Sequence, residues 1–305
     1  MVTFNKEFDP QYGKLVDVAP GVRRLTAANS SPFTFTGTNT YVVGDGEVAV
    51  IDPGPDDHAH LSLLLEQLGS ERVSHIFVTH THIDHSAGVG WLQQLTGAPT
   101  VGEGKHRAAR RLGAEEQNPL DASADGEFSP DIFAEDGTAI IGDGWQLVPR
   151  FTPGHTENHM ALDFIGSECL FSGDHVMGWS TSIVAPPDGS MAAYMASLSK
   201  LTTYGDKSFL SGHGPAIINS GELLAELISH RRNREQSVLD ALVHGPQTIS
   251  ALVEQIYTGL PVHLKAAAGL SVLAHLEHLE EQNKVIKATN TPDCYAIVRG
   301  SAEPD

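Results

Sequence analysis

Residues 78–88 read Val78-Thr-His-Thr-His-Ile-Asp-His-Ser-Ala-Gly88. Four side chains able to bind a metal, His80, His82, Asp84 and His85, fall within six residues. The apolar run before them, residues 74–79, has the length of a short strand, and Gly88 after them permits a turn. Imidazole and carboxylate are the donors that zinc takes in hydrolytic sites. A loop leaving a strand turns alternate side chains toward neighbouring points. The spacing therefore predicts a metal centre carried on a loop at a strand end.

Three other segments share that character: Thr152-Pro-Gly-His155-Thr156, Phe171-Ser-Gly-Asp174-His175 and Leu210-Ser-Gly-His213-Gly-Pro215. Each follows a β-like run and sets a glycine beside its donor. The chain has 16 histidines, and an isolated one such as His244 is ordinarily surface or core filler. A cluster of four donors followed in order by three glycine-flanked donors does not arise from that background.

Around this loop the pattern alternates between strand and helix. Residues 40–44 and 48–51 are β-rich on either side of Asp45-Gly46, a hairpin signal. Asp52-Pro-Gly-Pro55 stops the second strand. Leucines at 61, 64, 65 and 68 give residues 58–68 a helical period. A helix over 88–95 and a strand over 99–101 follow. Residues 113–137 are polar, acidic and broken by Gly and Pro, which reads as an insertion outside the core. Strands return at 139–141, 145–150, 160–165, 169–171 and 208–210, with a helix at 191–201. This is an α/β layered arrangement with mixed sheets. The tail differs. Residues 225–243 form one long helix or two, 248–257 and 264–282 form two more, and 284–287 pairs with 294–298 over a turn at 289–293. That order spells a winged-helix-like module. The expected division is 1–229 for a catalytic unit and 230–305 for the tail.

The formal charge is −19, concentrated in residues 1–229, with 12 basic against 29 acidic side chains. An acidic body repels phosphate backbones, so the charge disfavours a nucleic-acid substrate. Two divalent ions return about +4 locally, so that substrate stays as an alternative. No apolar run approaches the ~18 residues that cross a bilayer. The opening residues lack the apolar core of a secretory leader, and a cytoplasmic location with no membrane partner is expected. Cys169 and Cys294 have no CxxC partner, which points to two reduced, buried thiols rather than a thiolate zinc site.

THTHIDHSAG (79–88) resembles the HxHxDH signature of the metallo-β-lactamase superfamily, and His155, Asp174 and His213 match its remaining ligand positions in order, over about residues 15–230. The resemblance implies an αββα sandwich with two metal ions at one edge. It implies that His80, His82 and His155 hold the first ion, that Asp84, His85 and His213 hold the second, and that Asp174 bridges them. Two Zn(2+) ions are expected, with manganese and iron left open by the sequence. The drug-hydrolysing branch typically has cysteine where this chain has Asp174, so the set looks like the glyoxalase II and ribonuclease Z side, with β-lactam hydrolysis at most a side activity. The runs GTNTY (37–41), FTPGHTENHMAL (151–162), FSGDHVMG (171–178), SGHGP (211–215) and HRRNREQ (230–236) resemble the β-lactamase-like 2 subfamily. That subfamily has a C-terminal winged-helix-like region. Its members include single-strand endoribonucleases, and relatives act as thioesterases on polyketide carriers.

Two metals about 3.5–4 Å apart can share a water whose pKa falls to around 7, giving a hydroxide that attacks an acyl carbon or a phosphorus. Asp84 is the expected catalytic group that orients it and moves its proton, and His159 is expected at the site or the oxyanion. Asp52 is a candidate partner for a ligand N–H. Trp179 and Thr181, in the segment after Asp174, and Asn39 are expected in the substrate pocket. The leading function is hydrolysis of a small-molecule ester, thioester or lactone. The alternatives are a metal-dependent single-strand endoribonuclease and a non-enzymatic winged-helix regulator. The basic cluster 105–111 reads as a solvated face. Glu277, Glu280 and Glu281 against Lys265 make the helix 264–282 a poor DNA reader, so packing on the catalytic unit or homodimer formation is expected of the tail.

Overall fold

The computed structural model describes residues 2–113, 116–120, 123–288 and 293–298, with backbone only at 263. A seven-stranded sheet runs in chain order: β1 (Val16–Ala19), β2 (Val22–Thr26), β3 (Asn39–Asp45), β4 (Glu47–Ile51), β5 (Arg72–Phe77), β6 (Thr100–Gly102) and β7 (Ile132–Phe133). Its first four strands are antiparallel and β4 to β7 are parallel. Helix α1 (His58–Leu68) lies in the β4–β5 crossover, and α2 (Ile83–Ser86) and α3 (Val89–Thr96) lie between β5 and β6. A second sheet is ordered β8 (Ile140–Gly142), β9 (Trp145–Phe151), β10 (Met160–Phe164), β11 (Cys169–Gly173) and β12 (Ser208–Ser211). Helix α4 (Met191–Leu201) joins β11 to its parallel partner β12, and α5 (Ser220–Leu242) follows.

The period-two pattern of the strands decides the layers. Val42, Val48 and Val50 face outward and pack on Leu61, Leu64 and Leu68 of α1 and Leu92 of α3. Their neighbours Tyr41, Val43, Ala49 and Ile51 face inward and meet Leu147, Met160, Leu162 and Phe171 of the second sheet. The outer face of that sheet, Ala161, Leu170 and Phe209, packs on Met191, Tyr194 and Leu198 of α4 and Leu224 and Leu227 of α5. The order of layers is therefore helix, sheet, sheet, helix, as expected. Local signals support it. Gly46 takes φ +72 in the β3–β4 turn, and the Asp57 carboxylate accepts from Ala59 N at 2.9 Å to cap α1.

The tail adds β13 (Gln247–Thr248), α6 (Ile249–Ile256), α7 (Lys265–Glu281), β14 (Val285–Lys287) and β15 (Cys294–Ile297). The sheet order is β13-β15-β14, so the expected two-stranded wing has a third strand. Residues 289–292 of the expected turn lie outside the described residues. Val238, Leu252, Val272, Leu276, Leu279 and Tyr295 form a separate core, while Ala274 of α7 joins the cluster of α4 and α5. The position 229/230 falls inside α5, which is one continuous helix.

Several elements differ from the pattern reading. β1 and β2 have no clean alternation, because β2 carries Arg23 and Arg24 in its middle. Arg24 is nevertheless buried, its guanidinium 4.4 Å from the centre of the Phe8 ring. β5 spans 72–77 rather than 74–79, because Thr79 N turns away to bond Asp52. The insertion contributes β7 as an edge strand. Cys169 and Cys294 are free and buried, as expected.

Candidate metal centre

The candidate ligands gather at one edge of the sandwich, on loops at strand ends. His80 and His82 lie on the loop after β5, Asp84 and His85 on α2, His155 in the β9–β10 turn, Asp174 after β11 and His213 after β12. All seven come together. His80 Nε2 and His155 Nε2 each lie 3.0 Å from His82 Nδ1. A second group has His213 Nε2 at 3.3 Å from both His85 Nε2 and Asp84 Oδ2, with His85 Nε2 at 3.6 Å from Asp84 Oδ2. Asp174 touches both groups: its Oδ2 is 3.2 Å from His213 Nε2 and 3.8 Å from His155 Nε2, and its Oδ1 is 3.5 Å from His85 Nε2.

The opposite ring nitrogens show which way the lone pairs point. His85 Nδ1 donates to Asp52 Oδ2 at 2.8 Å, His155 Nδ1 to the Ile183 carbonyl at 2.7 Å, and His213 Nδ1 to the Gly37 carbonyl at 3.2 Å. His80 Nδ1 donates to Thr79 Oγ1, which itself donates to Asp52 Oδ2 at 2.8 Å. Four acceptors on the outside leave four Nε2 lone pairs on the inside. Bare lone pairs and carboxylate oxygens this close repel, and a cation among them removes the repulsion. Asp174 Oδ1 is buried and has no hydrogen-bond partner among the described residues. Donor groupings capable of holding a metal are His80–His82–His155, His80–His85–Asp174 and Asp84–His85–His213. The donor set fits metal ions.

The two groups differ electrostatically. Burial, then the neighbouring His155, pushes His82 down to about 3, so the first group holds neutral imidazoles. Burial also works against a charge on His213, but Asp174 and Asp84 outweigh it and lift its pKa to about 9. Burial opposes ionisation of Asp174 as well, yet His213 and His85 hold its pKa well below the usual carboxylate range.

Local sequence explains the close approach. A Cβ on Gly212 would lie 2.4 Å from Asp174 Oδ1 and 2.6 Å from His85 Cε1, so only glycine lets β12 pass beneath the centre. Gly173 has φ +48, and a Cβ there would lie 2.5 Å from His159 Nε2. Asp52, at φ +50 where β4 ends, receives Thr79 N at 2.7 Å and thereby ties β4, the His80 loop and α2 together.

A cavity of about 290 Å³ opens over Asp84, His82, His155, Asp174 and His213. Pro32, Phe33, Leu120, Met177, Trp179 and Ile183 supply apolar wall, with Thr181 and Ser180 beside them; no lysine or arginine lines it. Trp179 stacks on Phe35, centroids 4.9 Å apart. Trp179 and Thr181 thus line the cavity, but Asn39 and His159 do not. The Asn39 amide is fully buried and donates to Ser211 O at 3.1 Å and Gly214 O at 3.0 Å, fixing the loop that carries His213. His159 lies behind the centre, with Nδ1 at 2.8 Å from Thr152 Oγ1 and Nε2 accepting from Asp174 N at 3.2 Å. Both hydrogen-bond to segments that carry candidate ligands. Met177 lies in the segment after Asp174 expected at the pocket, whereas the pattern reading missed Phe33 and Leu120, which follow no periodicity. It also missed Thr38, whose hydroxyl reaches Asp84 Oδ2 at 3.3 Å; its signal is the GTNTY run. Two arginines of the basic cluster are held in ion pairs, Arg107 with Glu103 at 2.6 Å and Arg110 with Glu116 at 2.6 Å and Glu277 at 2.7 Å.

A family model described as the metallo-beta-lactamase superfamily matches residues 33–213, and one described as the beta-lactamase associated winged helix domain matches 248–291. The chain is 31% identical over 283 residues to a beta-lactamase-like protein 2 homolog of Drosophila melanogaster, covering 87% of this chain and 92% of that one. It is 31% identical over 264 residues to an atrochrysone carboxyl ACP thioesterase of Aspergillus fumigatus, covering 81% and 76%. In three dimensions it is similar to a beta-lactamase domain protein of Burkholderia ambifaria, with a TM-score of 0.79 at 22% identity over 97% of each chain; this likeness concerns the fold.

Proposed function

This chain belongs to the metallo-beta-lactamase superfamily, and from that membership we propose that it is a hydrolase with two zinc ions that cleaves thioesters or esters of apolar acyl groups. The observation that carries this reading is the cavity. Its walls are largely apolar, it ends at two groups of metal donors, and among the described residues no lysine or arginine lines it. An apolar acyl chain gains roughly 25 cal/mol per Å² on such a wall, whereas a polyanionic strand would meet an acidic body whose cavity, among the described residues, has no lysine or arginine to take its flanking phosphates. The thioesterase among the relatives is consistent with an acyl substrate.

In this reading His80, His82 and His155 hold one ion, Asp84, His85 and His213 the other, and Asp174 lies between them. Bound zinc supplies a nucleophilic water at neutral pH and a Lewis acid for the carbonyl oxygen. The chain does the rest. Asp52, the Thr79 hydroxyl and the Ile183 and Gly37 carbonyls keep the imidazoles oriented, so little reorganisation is needed as charge develops. Asp84 carries the side chain most open to the cavity among the donors, 24% exposed. It takes the proton of the attacking water and passes it to the leaving group, while the Thr38 hydroxyl holds its Oδ2. Trp179, Phe33 and Met177 bury the acyl chain and exclude water. In this reading residues 1–229 form the catalytic unit and 230–305 the winged-helix-like tail, with α5 running through both.

Zinc-loaded protein assayed on acyl thioesters, esters and lactones, beside a labelled single-stranded RNA, tests the proposal, with His82→Ala as control. Hydrolysis of one acyl class, lost in the control, supports it. RNA cleavage lost in the same control, without acyl turnover, overturns it.

A further inference from the structure

The tail helix α5 sends one side chain into the wall of the centre. Arg231 is 4% exposed, and its Nη2 donates to the Ser182 carbonyl. The next carbonyl, Ile183 O, is the acceptor that orients His155. The guanidinium also lies 5.0 Å from the centre of the Tyr194 ring. Tyr194 is fully buried, its hydroxyl donates to His175 O at 3.1 Å, and its backbone presses on the turn before His155, where a Cβ on Gly154 would lie 2.4 Å from Tyr194 Cα. Arg231 therefore bears on His155 from two sides, through the 182–183 carbonyls and through the Tyr194–Gly154 contact.

No carboxylate forms an ion pair with Arg231 among the described residues, and its Nε has no partner there. A buried guanidinium without a counter-ion is costly to keep, and an apolar side chain of similar volume would fill the space with less desolvation. The fork and plane of arginine are suited to gripping a carbonyl and an aromatic face together. We infer that Arg231, contributed by the tail helix, is a positioning residue for the reaction. It fixes segment 179–183, and through Ile183 O it fixes the direction of the His155 lone pair, so the helix that leads from the sandwich into the winged-helix unit is part of the catalytic apparatus. This inference rests on the two-metal hydrolase reading above.

The test compares wild type with Arg231→Met, Arg231→Lys and the exposed neighbour Arg232→Ala. Each is titrated with cobalt(II) and with zinc to obtain two affinities, then assayed on short and long acyl thioesters. In Arg231→Met one of the two affinities should weaken about tenfold, the lower end of what an outer partner of a metal-bound histidine supplies, while the other stays unchanged. The loss in kcat/KM should fall on kcat. Arg231→Lys keeps a buried cation but loses the fork, and should show a smaller weakening, roughly threefold, at the same site. Arg232→Ala should match wild type. If a folded Met or Lys variant merely melts earlier, with both affinities and kcat at wild-type values, the residue is structural and the inference fails. Should the Met variant not fold, the Lys variant decides by the same criteria. The parent reading fails differently, in the wild type alone: no tight cobalt or zinc sinks the metal centre, and two tight ions without acyl turnover sink the substrate while leaving the affinities to judge Arg231.

Discussion

The molecule holds two clusters of buried histidine and carboxylate, and they are built differently. At the sandwich edge, donors from four segments turn their lone pairs inward, because Asp52, Thr79, Ile183 O and Gly37 O accept on the outside. In the tail, Glu235 of α5 faces His278 and His275 of α7. Here Glu235 Oε2 lies 2.8 Å from His278 Nδ1 and 3.9 Å from His275 Nδ1, His278 Nε2 bonds Gln282, and the fully buried His275 has no hydrogen-bond partner among the described residues. The tail carboxylate answers its histidines directly, so no set of lone pairs is left facing a common point. A histidine cluster becomes a metal centre when its acceptors lie behind the rings, and a structural latch when the acceptor lies between them.

That contrast can be broken at several points. Removing an inner donor should do the most. His82→Ala is expected to lose one metal per chain and more than about 100-fold in activity, exceeding the effect of any outer partner. Elemental analysis and steady-state kinetics check this, and retention of two ions would contradict the assignment. Asp52→Asn should weaken metal affinity by about 10–100-fold, because one carboxylate supports both His85 and, through Thr79, His80. The corresponding change in the tail, Glu235→Gln, should leave the metal count and affinities untouched.

Chelation should lower the melting temperature of the sandwich, since ions bound only by the folded state stabilise it by about 2.7 kcal/mol at a hundredfold excess over Kd. His275→Asn should leave that metal-dependent shift unchanged. The smallest effect concerns acid. Burial opposes ionisation of Glu235, but the neighbouring His275 and His278 outweigh it and bring its pKa to about 2. A depressed carboxylate stabilises the fold fully above its unfolded value near 4.5, and that contribution disappears as pH falls through about 2. With the group partly solvated, the contribution is about 1–2 kcal/mol. Glu235→Gln should therefore be less stable at neutral pH and show a flatter stability curve between pH 4.5 and 2. An unchanged acid limb would show that the latch carries no such energy.

Legibility followed range. The hairpin at Asp45-Gly46, the helix 58–68 and the donor loop 80–85 are set by neighbours in the chain, and all stood out from the residue pattern. Where a side chain's partner comes from a distant segment, the pattern was silent or misleading. Asn39 lies in a run rich in pocket-like residues, yet its amide is taken up by Ser211 and Gly214 carbonyls some 170 positions away. His159 stands four residues after a candidate ligand, but Thr152 and the Asp174 backbone hold it behind the centre. The walls formed by Phe33 and Leu120 come from two separate loops with no shared period.

By itself the sequence determined the donor types, their order, their glycine neighbours and the strand pattern that separates inner from outer faces, because those depend on side-chain chemistry and on backbone periods of 2 and 3.6 residues. Only the tertiary structure decided which nitrogen of each imidazole points inward, which acceptor stands behind it, and that a tail arginine reaches Ser182. Those choices depend on contacts across the sandwich, which sequence spacing does not encode. They exist only once the two sheets have closed their loops over a common edge.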